Sequence, residues 1–255
     1  MTLQQLQNNN IDVLVLIDEF CKKLDLKYYL VGGSLLGACR EKGFIPWDID
    51  IDIAMPRMDF EKFYQEYSEH PSPRYQIDIR ENGGELCVYD EEINVYSDEY
   101  NIDLMLKPHV DIYPIDNAPN NAVSRFLRWT YIDIMHLGIS MSRIQECYSG
   151  NDRSFFKRIV IKICKKFHTE KVFKPEKYQK RWARAAQKNN SKPTNWIYIA
   201  YGVYGRKEFM PKIWIGSGTF LEFEGKLFPV YEQYKHYLSK IYGTDYMTPK
   251  KDIYR

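Results

Sequence analysis

The chain has 255 residues, of which 44% are apolar and 27% charged, and its net charge is +2. This balance predicts an ordinary globular protein with one large domain, or a core domain carrying a smaller helical appendage. The five cysteines and five histidines show neither C-x-x-C nor paired-histidine spacing, which argues against a disulfide framework and a zinc site. The sequence has neither a signal-peptide pattern nor a membrane-length apolar run, so we expect a cytoplasmic protein.

The charges are divided unevenly along the chain. Residues 1–120 carry 10 Lys and Arg against 23 Asp and Glu, whereas the remainder carries 26 against 11. This asymmetry predicts a carboxylate-rich site in the first half and an anion-binding surface in the second.

Helices and strands alternate through the first half. Helical spacing predicts an amphipathic helix over residues 11–24, followed by a strand at 28–31, a glycine turn and a helix N-capped by Ser34. A strand at 48–53 precedes a helix over 59–67. Further strands are predicted at residues 75–79, 86–89, 93–96 and 110–115, with a turn at 82–84. The pattern indicates an α+β fold with a mixed β-sheet packed with helices.

The second half is more helical and more basic. We predict a catalytic core over residues 1–121, a basic helical subregion over 122–194 and a C-terminal segment over 195–255 that completes the catalytic domain. A closing helix is expected over residues 230–242.

Three aspartates recur at alternate positions in the predicted strand over residues 48–53. Alternation places Asp48, Asp50 and Asp52 on one face of a strand. Two carboxylates about 4 Å apart repel each other by on the order of 4 kcal/mol at an effective dielectric near 20. A divalent cation would turn this repulsion into attraction, and oxygen ligands favour Mg²⁺ or Mn²⁺. The alternative is an exposed edge strand that uses like charges against aggregation, although Trp47 argues against a fully exposed edge.

A second acidic strand is predicted over residues 110–115. Asp111 shares a face with Tyr113 and could supply a third metal ligand, although a strand-end aspartate that solvates a turn is the alternative. Asp116 is assigned to a following turn, where Asx hydrogen bonding explains it.

A glycine pair precedes the aspartates. Gly32 and Gly33 allow a close backbone approach, and a helix that begins at Ser34 presents N–H groups to a phosphate. The order of glycine turn followed by Asp50 and Asp52 is the one that a nucleotidyltransferase requires.

These motifs together resemble the LicD family, which is grouped with fukutin and the fukutin-related protein. The similarity is densest over residues 32–57, GGSLLGACREKGFIPWDIDIDIAMPR, and continues at residues 110–116, 223–225, 228–230 and 237–247. Many family members have an aspartate where this chain has Ile49, a residue that points away from the predicted Asp48 face. Residues 122–194 contain no motif that we recognise.

The resemblance implies a metal-dependent phosphotransferase with a nucleotidyltransferase-like core. Such enzymes transfer a phospho-alcohol, typically phosphocholine, from a CDP-linked donor to a sugar of a surface glycan such as teichoic acid, lipopolysaccharide or capsule, and fukutin-like relatives transfer ribitol phosphate. Mg²⁺ (or Mn²⁺) held by Asp50, Asp52 and Asp111 would orient the donor, and Asp111 or Asp48 would take the acceptor's proton.

Other residues carry open alternatives. Four basic residues are candidate pyrophosphate contacts or ordinary surface charges: Arg40, Lys42, Arg206 and Lys207. The aromatic segment 196–214 could form a box around choline or pack in the core. The basic run at residues 155–167 could meet a lipid-linked acceptor at the inner face of the membrane or form a solvated helix.

Three other functions compete with phospho-alcohol transfer. A nucleotidyltransferase would use the same metal strand to attach a nucleoside monophosphate from a triphosphate to a small molecule or protein. A non-catalytic binding module is disfavoured because Asp50, Asp52 and Asp111 are all present. We expect no nucleic-acid partner, since no recognised motif accompanies the basic half.

Overall fold

The computed structural model of the protein describes residues 2–97, 102–145 and 162–249. For residues 95–97, 102–106 and 170 it describes the backbone but not the side chains. The α-helices with both ends in the described residues are α1 (Leu3–Leu24), α2 (Gly32–Arg40), α3 (Arg57–Glu69), α4 (Ala122–Ser142), α5 (Pro175–Gln187) and α6 (Tyr234–Tyr242). The strands are β1 (Tyr29–Leu30), β2 (Ile51–Pro56), β3 (Tyr75–Ile79), β4 (Leu86–Asp90), β5 (Val95–Ser97), β6 (Ile102–Leu106), β7 (His109–Ala118), β8 (Trp196–Ile199), β9 (Met210–Pro211), β10 (Thr219–Phe223) and β11 (Lys226–Val230).

The central sheet has the strand order β1-β2-β7-β4-β3, and β8 and β9 extend it from the second half of β7. Strands β2 and β7 are parallel, whereas the other pairs in this sheet are antiparallel. Helices pack on this mixed sheet, which confirms the predicted α+β class. The long strand β7 is the centre of the fold, because it pairs with β2 and β4 along its first half and with β8 along its second.

Helix α1 begins earlier than the sequence predicted. Thr2 and Gln5 form a reciprocal capping box that stabilises a start at Leu3. Further along the helix, Val13, Leu14 and Ile17 are fully buried in the core. The helix therefore follows its predicted apolar spacing and adds two polar turns at its N-terminus.

The predicted strand over residues 48–53 is wrong for its first half, because β2 begins only at Ile51. The backbone N–H of Asp48 donates to the carbonyl of Ile45 at 2.9 Å, as in a turn. Polar side chains of α1 bind the next carbonyls: Gln7 donates to Asp48 O at 2.9 Å and Asn10 to Ile49 O at 2.8 Å. These backbone groups are satisfied without a neighbouring strand.

The assignment of Asp116 to an Asx turn after the strand is also wrong. Asp116 lies inside β7 and is 0% exposed. The guanidinium of Arg57 donates to both of its carboxylate oxygens, at 2.8 and 2.7 Å, and Asn190 donates to it at 2.6 Å. Asp116 therefore belongs to a buried, fully hydrogen-bonded ion pair.

The helical region after β7 packs against the sheet. Trp129 and Ile132 of α4 and Trp182 of α5 belong to the same buried core as the central strands. The indole N–H of Trp182 donates to the carbonyl of Ala200 at 3.1 Å. Residues 146–161, with most of the basic run at 155–167, lie outside the described part of the chain. The division into three regions stays a prediction.

The closing helix is shorter than predicted. Helix α6 spans Tyr234–Tyr242, because Val230 ends β11 of a hairpin that precedes it. Within the described residues, no helix is long and apolar enough to cross a membrane.

Candidate active site

Strand β2 and the start of helix α2 are hydrogen-bonded to each other at the site. The backbone N–H of Asp52 donates to the hydroxyl of Ser34 at 2.9 Å, and the N–H of Val31 donates to the carbonyl of Asp52 at 3.1 Å. The prediction that Ser34 is the N-cap of α2 is therefore wrong. The helix begins at Gly32, and Val31 is its N-cap. This pairing fixes the first turn of α2 against β2.

The glycines give the carboxylates room beside this turn. A Cβ atom on Gly32 would lie 2.9 Å from Oδ2 of Asp52, and one on Gly33 would lie 2.6 Å from Oδ2 of Asp48. Gly32 also has a φ of +54°, which disfavours any residue with a side chain. The glycine pair thus lets two aspartates approach the N-terminal end of a helix whose first N–H groups carry partial positive charge.

The parallel register of β2 and β7 places Asp52 beside Asp111. Asp50, His109 and Asp111 each offer one ligand atom, and these atoms lie within 4.8 Å of one another. Two carboxylates and an imidazole at this separation could hold a divalent cation. The sequence analysis predicted Asp50, Asp52 and Asp111 as metal ligands but did not include His109. A single histidine at the start of a strand has no sequence pattern that indicates metal binding.

His109 is oriented for such a role by its other ring nitrogen. Nδ1 lies 2.8 Å from the carbonyl oxygen of Lys107, which can only accept a hydrogen bond. A proton on Nδ1 satisfies this contact, and Nε2, which lies 3.8 Å from Oδ2 of Asp111, is the nitrogen that faces the carboxylates. A backbone carbonyl that orients a metal-binding imidazole in this way is common around protein metal sites.

The electrostatics of the cluster indicate an excess of negative charge. Burial raises the pKa of Asp48 to about 7, helped by the neighbouring charge of Asp50. Burial also raises the pKa of Asp52 well above its ordinary value, with Asp50 and Asp111 adding to the effect. The pKa of Glu85 rises to about 7 through burial and the charge of Asp111. A divalent cation would relieve this repulsion, so the donor set fits one electrostatically as well as geometrically.

Arg80 provides part of the compensating charge. Its Nε donates to Oδ1 of Asp111 at 2.8 Å, and it lies 3.8 Å from Oε1 of Glu85. This ion pair fixes one oxygen of Asp111 and leaves the other on the side of His109. Arg80 and Glu85 flank the predicted turn at residues 82–84, but the sequence alone did not reveal their contact with the site.

The predicted pyrophosphate contacts after α2 have other partners in the structure. Arg40 donates to the carboxylate of Glu41 at 2.7 Å and to the carbonyl of Tyr246 at 3.4 Å. Lys42 pairs with Glu222 at 3.2 Å. Contact with a diphosphate stays a prediction for both residues.

The two later basic residues lie against helices. Arg206 stacks on the ring of Phe126 at 4.0 Å and donates to the hydroxyl of Thr130 at 3.2 Å, both in α4. Lys207 donates to the carbonyl of Ile241 at the end of α6, at 2.6 Å. Their predicted substrate contacts likewise stay predictions.

A mixed sheet that carries clustered carboxylates on adjacent strands, beside a glycine-opened helix N-terminus, is the arrangement that the sequence predicted for a nucleotidyltransferase-like core. Residues 25–136 match the family model described as LicD/FKTN/FKRP, nucleotidyltransferase domain. The chain is thus similar to the LicD family, and this similarity supports a transferase activity.

Two relatives illustrate the extent of the similarity. The lipopolysaccharide cholinephosphotransferase LicD of Haemophilus influenzae is 29% identical over 262 residues, which cover 99% of this chain and 94% of that protein. The uncharacterized protein RT0683 of Rickettsia typhi is 30% identical over 108 residues, 38% of this chain and 34% of its own length.

Proposed function

We propose that the protein transfers a phospho-alcohol, phosphocholine or a related alditol or glycerol phosphate, from a CDP-linked donor to a sugar of a cell-surface glycan. The observation that carries this proposal is the convergence of Asp50, His109 and Asp111. Asp52, which pairs with Asp111 across β2 and β7, lies against the first turn of α2. The chain is also similar over nearly its whole length to a protein named as a lipopolysaccharide cholinephosphotransferase. Lipopolysaccharide is therefore the first acceptor to test.

The reaction forms one bond and breaks one. The acceptor hydroxyl oxygen attacks the donor phosphorus that carries the alcohol, and the bond from this phosphorus to the bridging oxygen breaks. CMP leaves with the electron pair of that bond. A divalent cation, Mg²⁺ or Mn²⁺, held by Asp50, His109 and Asp111 with Asp52 beside them, would neutralise charge on the diphosphate.

The residues around the cluster bind the diphosphate and accept the proton. The N–H of Gly33, in the first turn of α2, binds a phosphate oxygen, while the N–H of Gly32 donates to the hydroxyl of Tyr237 at 3.4 Å. Asp48 takes the proton of the acceptor hydroxyl. We favour Asp48 over Asp111 as this base, because Arg80 already occupies one oxygen of Asp111.

The experiment uses CDP-choline labelled either in the choline or in the cytidine, with lipopolysaccharide as acceptor and Mg²⁺ or Mn²⁺ present. Choline label in the glycan supports phospho-alcohol transfer. Cytidine label in the product would instead support a nucleotidyltransferase. The variants Asp50→Asn and Asp111→Asn should lose transfer, whereas Asp12→Asn, an exposed control in α1, should keep it.

We also propose that α4 contacts an anionic membrane that carries the acceptor. Its outer face forms an apolar stripe whose five large side chains are between 51% and 66% exposed: Val123, Phe126, Leu127, Ile134 and Leu137. Beside the stripe, a groove of about 930 Å³ is lined by four cationic side chains: Arg128, Arg181, Arg184 and Lys188. Apolar side chains flanked by cations suit the interface of an anionic bilayer.

Sedimentation with vesicles tests this membrane contact. The protein should sediment with vesicles that contain phosphatidylglycerol and less with pure phosphatidylcholine. Replacing Leu127 and Ile134 by serine should reduce sedimentation, whereas Val203→Ser, which changes an exposed apolar residue outside α4, should not. Indifference to lipid charge would contradict the proposal.

A further inference from the structure

Arg80 lies in the turn that joins β3 to β4, and hydrogen bonds hold this turn in place. The backbone N–H of Arg80 donates to the carbonyl of Glu85 at 2.8 Å, and its own carbonyl accepts from Gly83 at 2.8 Å. The side-chain oxygen of Asn82 accepts from the N–H groups of Gly84 and Glu85, at 3.0 and 3.1 Å. The turn therefore fixes the backbone from which the guanidinium reaches the candidate active site.

The guanidinium of Arg80 has one edge bound and one edge open. Nε and Nη2 both donate to Oδ1 of Asp111, and Nε lies 3.8 Å from Oε1 of Glu85. Nη1 donates to no residue in the described part of the chain. The side chain is 38% exposed, so the N–H groups of Nη1 can reach a ligand that enters from solvent. A guanidinium oriented by a carboxylate on one edge is preorganised to bind a phosphate oxygen on the other.

Arg80 is also the cation best placed to meet a diphosphate. Among the Lys and Arg side chains of the described residues, only Arg80 forms an ion pair with a carboxylate of the site, which has five acidic residues: Asp48, Asp50, Asp52, Glu85 and Asp111. The four basic residues predicted from the sequence contact other parts of the fold. A doubly charged diphosphate beside five acidic groups requires cationic partners.

The sheet places Arg80 and the first turn of α2 on opposite sides of the acidic residues. Along the strand order β1-β2-β7-β4-β3, this turn adjoins Asp52 of β2, whereas Arg80 follows β3. Asp111 of β7 lies between them. Asp48, the proposed base, is on the α2 side, because a Cβ atom on Gly33 would lie 2.6 Å from its Oδ2. The acceptor hydroxyl and the phosphorus that it attacks belong on that side, and the nucleotide phosphate then lies toward Arg80.

We infer that Arg80 is a catalytic residue that binds the phosphate of the departing CMP. This inference rests on the proposed function and adds a residue that the sequence did not reveal. As the bond from the transferred phosphorus to the bridging oxygen breaks, its electron pair stays on that oxygen, and the CMP phosphate gains one negative charge. The contact with Nη1 is therefore stronger in the transition state than with the bound donor. Loss of the guanidinium should lower kcat more than it raises KM.

The test measures transfer of phosphocholine from CDP-choline to lipopolysaccharide by Arg80→Gln, with Arg74→Gln as matched control. Arg74 precedes β3, has a side chain that is 40% exposed and pairs with Asp90 of β4, so each variant replaces a guanidinium that binds a strand aspartate. Arg80→Gln should lower kcat by about 100-fold or more, with KM within about threefold of the wild-type value. Arg74→Gln should keep the wild-type kcat. Arg80→Lys, which keeps the charge without the planar fork, should recover part of the lost rate.

Calorimetry separates a phosphate contact from a purely structural role. In saturating Mg²⁺, the wild-type protein should bind CMP at least about tenfold more tightly than cytidine, and Arg80→Gln should lose most of this difference with an unchanged affinity for cytidine. The affinity of nucleotide-free Arg80→Gln for Mg²⁺ should not fall, because removal of a cation favours the metal ion. A fall in Mg²⁺ affinity that accounts for the whole loss of CMP binding would mean that Arg80 only orients Asp111, and it would overturn the inference.

The outcomes distinguish this inference from the proposed function. Transfer by Arg80→Gln at the wild-type kcat overturns the inference alone. If the wild-type protein transfers nothing from CDP-choline, the proposed function fails, and the comparison of CMP with cytidine then decides the role of Arg80 by itself. Should Arg80→Gln fail to fold, Arg80→Lys replaces it, with an expected kcat at least about tenfold below that of the wild type. A wild-type kcat in that variant would then overturn the inference.

Discussion

Asp52 and Asp111 occupy paired positions on the adjacent parallel strands β2 and β7. Like charges on neighbouring strands destabilise a sheet. Here Asp111 adds to burial in raising the pKa of Asp52. The arrangement opposes folding of the metal-free protein and supports its proposed role of holding a cation.

Asp52→Asn should therefore stabilise the metal-free protein while it impairs transfer. Loss of one charge from the cluster should raise the free energy of unfolding by about 1 kcal/mol, a value that allows for partial solvent screening. Transfer should fall by about 100-fold or more, as expected when an electrostatic contribution of roughly 3 kcal/mol is lost. Urea unfolding in EDTA, with Asp12→Asn as control, measures the first effect. A less stable variant would contradict the account.

His109→Ala should change the metal preference of the site. Imidazole favours the later transition metals over Mg²⁺, whereas carboxylates favour Mg²⁺ and Mn²⁺. We expect the affinity for Mn²⁺ to fall about tenfold or more and the affinity for Mg²⁺ to fall less. Calorimetric titration of both ions into each protein makes the comparison. Identical losses for both ions would show that the imidazole does not set the preference.

The ion pair between Arg57 and Asp116 should dominate the stability of the centre of β7. Asp116→Ala leaves a largely buried guanidinium without its partner and should lower the free energy of unfolding by about 3–5 kcal/mol. Replacing both residues, as Arg57→Met with Asp116→Leu, should destabilise the fold less than Asp116→Ala alone. Urea midpoints at constant m-value measure all three proteins. A loss below about 1 kcal/mol in Asp116→Ala would be inconsistent with this pair as a main contact.

Glu208 should make stability depend on pH. Burial raises its pKa from 4.5 to about 8 in the folded protein. A group whose pKa is higher in the folded than in the unfolded protein stabilises the fold when it is protonated. This stabilisation is fully present below the pKa of the unfolded protein and is lost as the pH rises through the pKa of the folded protein. The free energy of unfolding should fall between about pH 4.5 and about pH 8, by at most about 1.4 kcal/mol per pH unit for this group.

Glu208→Gln isolates this contribution from Asp48 and Glu85, whose pKa values are also raised. Relative to the wild type, the free energy of unfolding of the variant should increase as the pH rises across this range. Urea unfolding of both proteins at several pH values provides the measurement. A difference that is constant with pH would show that Glu208 does not titrate with a raised pKa.

Much of the site could be predicted because its signals are local. Asp50 and Asp52 lie on one short segment, and the glycine pair Gly32 and Gly33 is visible in the sequence, although the structure places it in the first turn of α2 and not in a separate turn. The strand containing Asp111 was predicted from its alternation. The structure then placed Asp52 and Asp111 side by side on β2 and β7.

The rest depends on tertiary contacts that no local pattern encodes. Arg80 reaches Asp111 only through the pairing of β3, β4 and β7. His109 becomes a candidate ligand only because β7 begins there, next to Asp50. Asp116 was assigned to a turn since nothing in its neighbourhood revealed Arg57, which lies 59 residues earlier.

The most direct test measures the release of CMP against the incorporation of phosphocholine into lipopolysaccharide, with CDP-choline as donor and Mg²⁺ or Mn²⁺ present. The account predicts one CMP for each phosphocholine transferred, with both lost on chelation and in Asp111→Asn. Release of pyrophosphate from a nucleoside triphosphate with the nucleotide retained on the acceptor would contradict it, as would transfer that persists at full rate in Asp111→Asn.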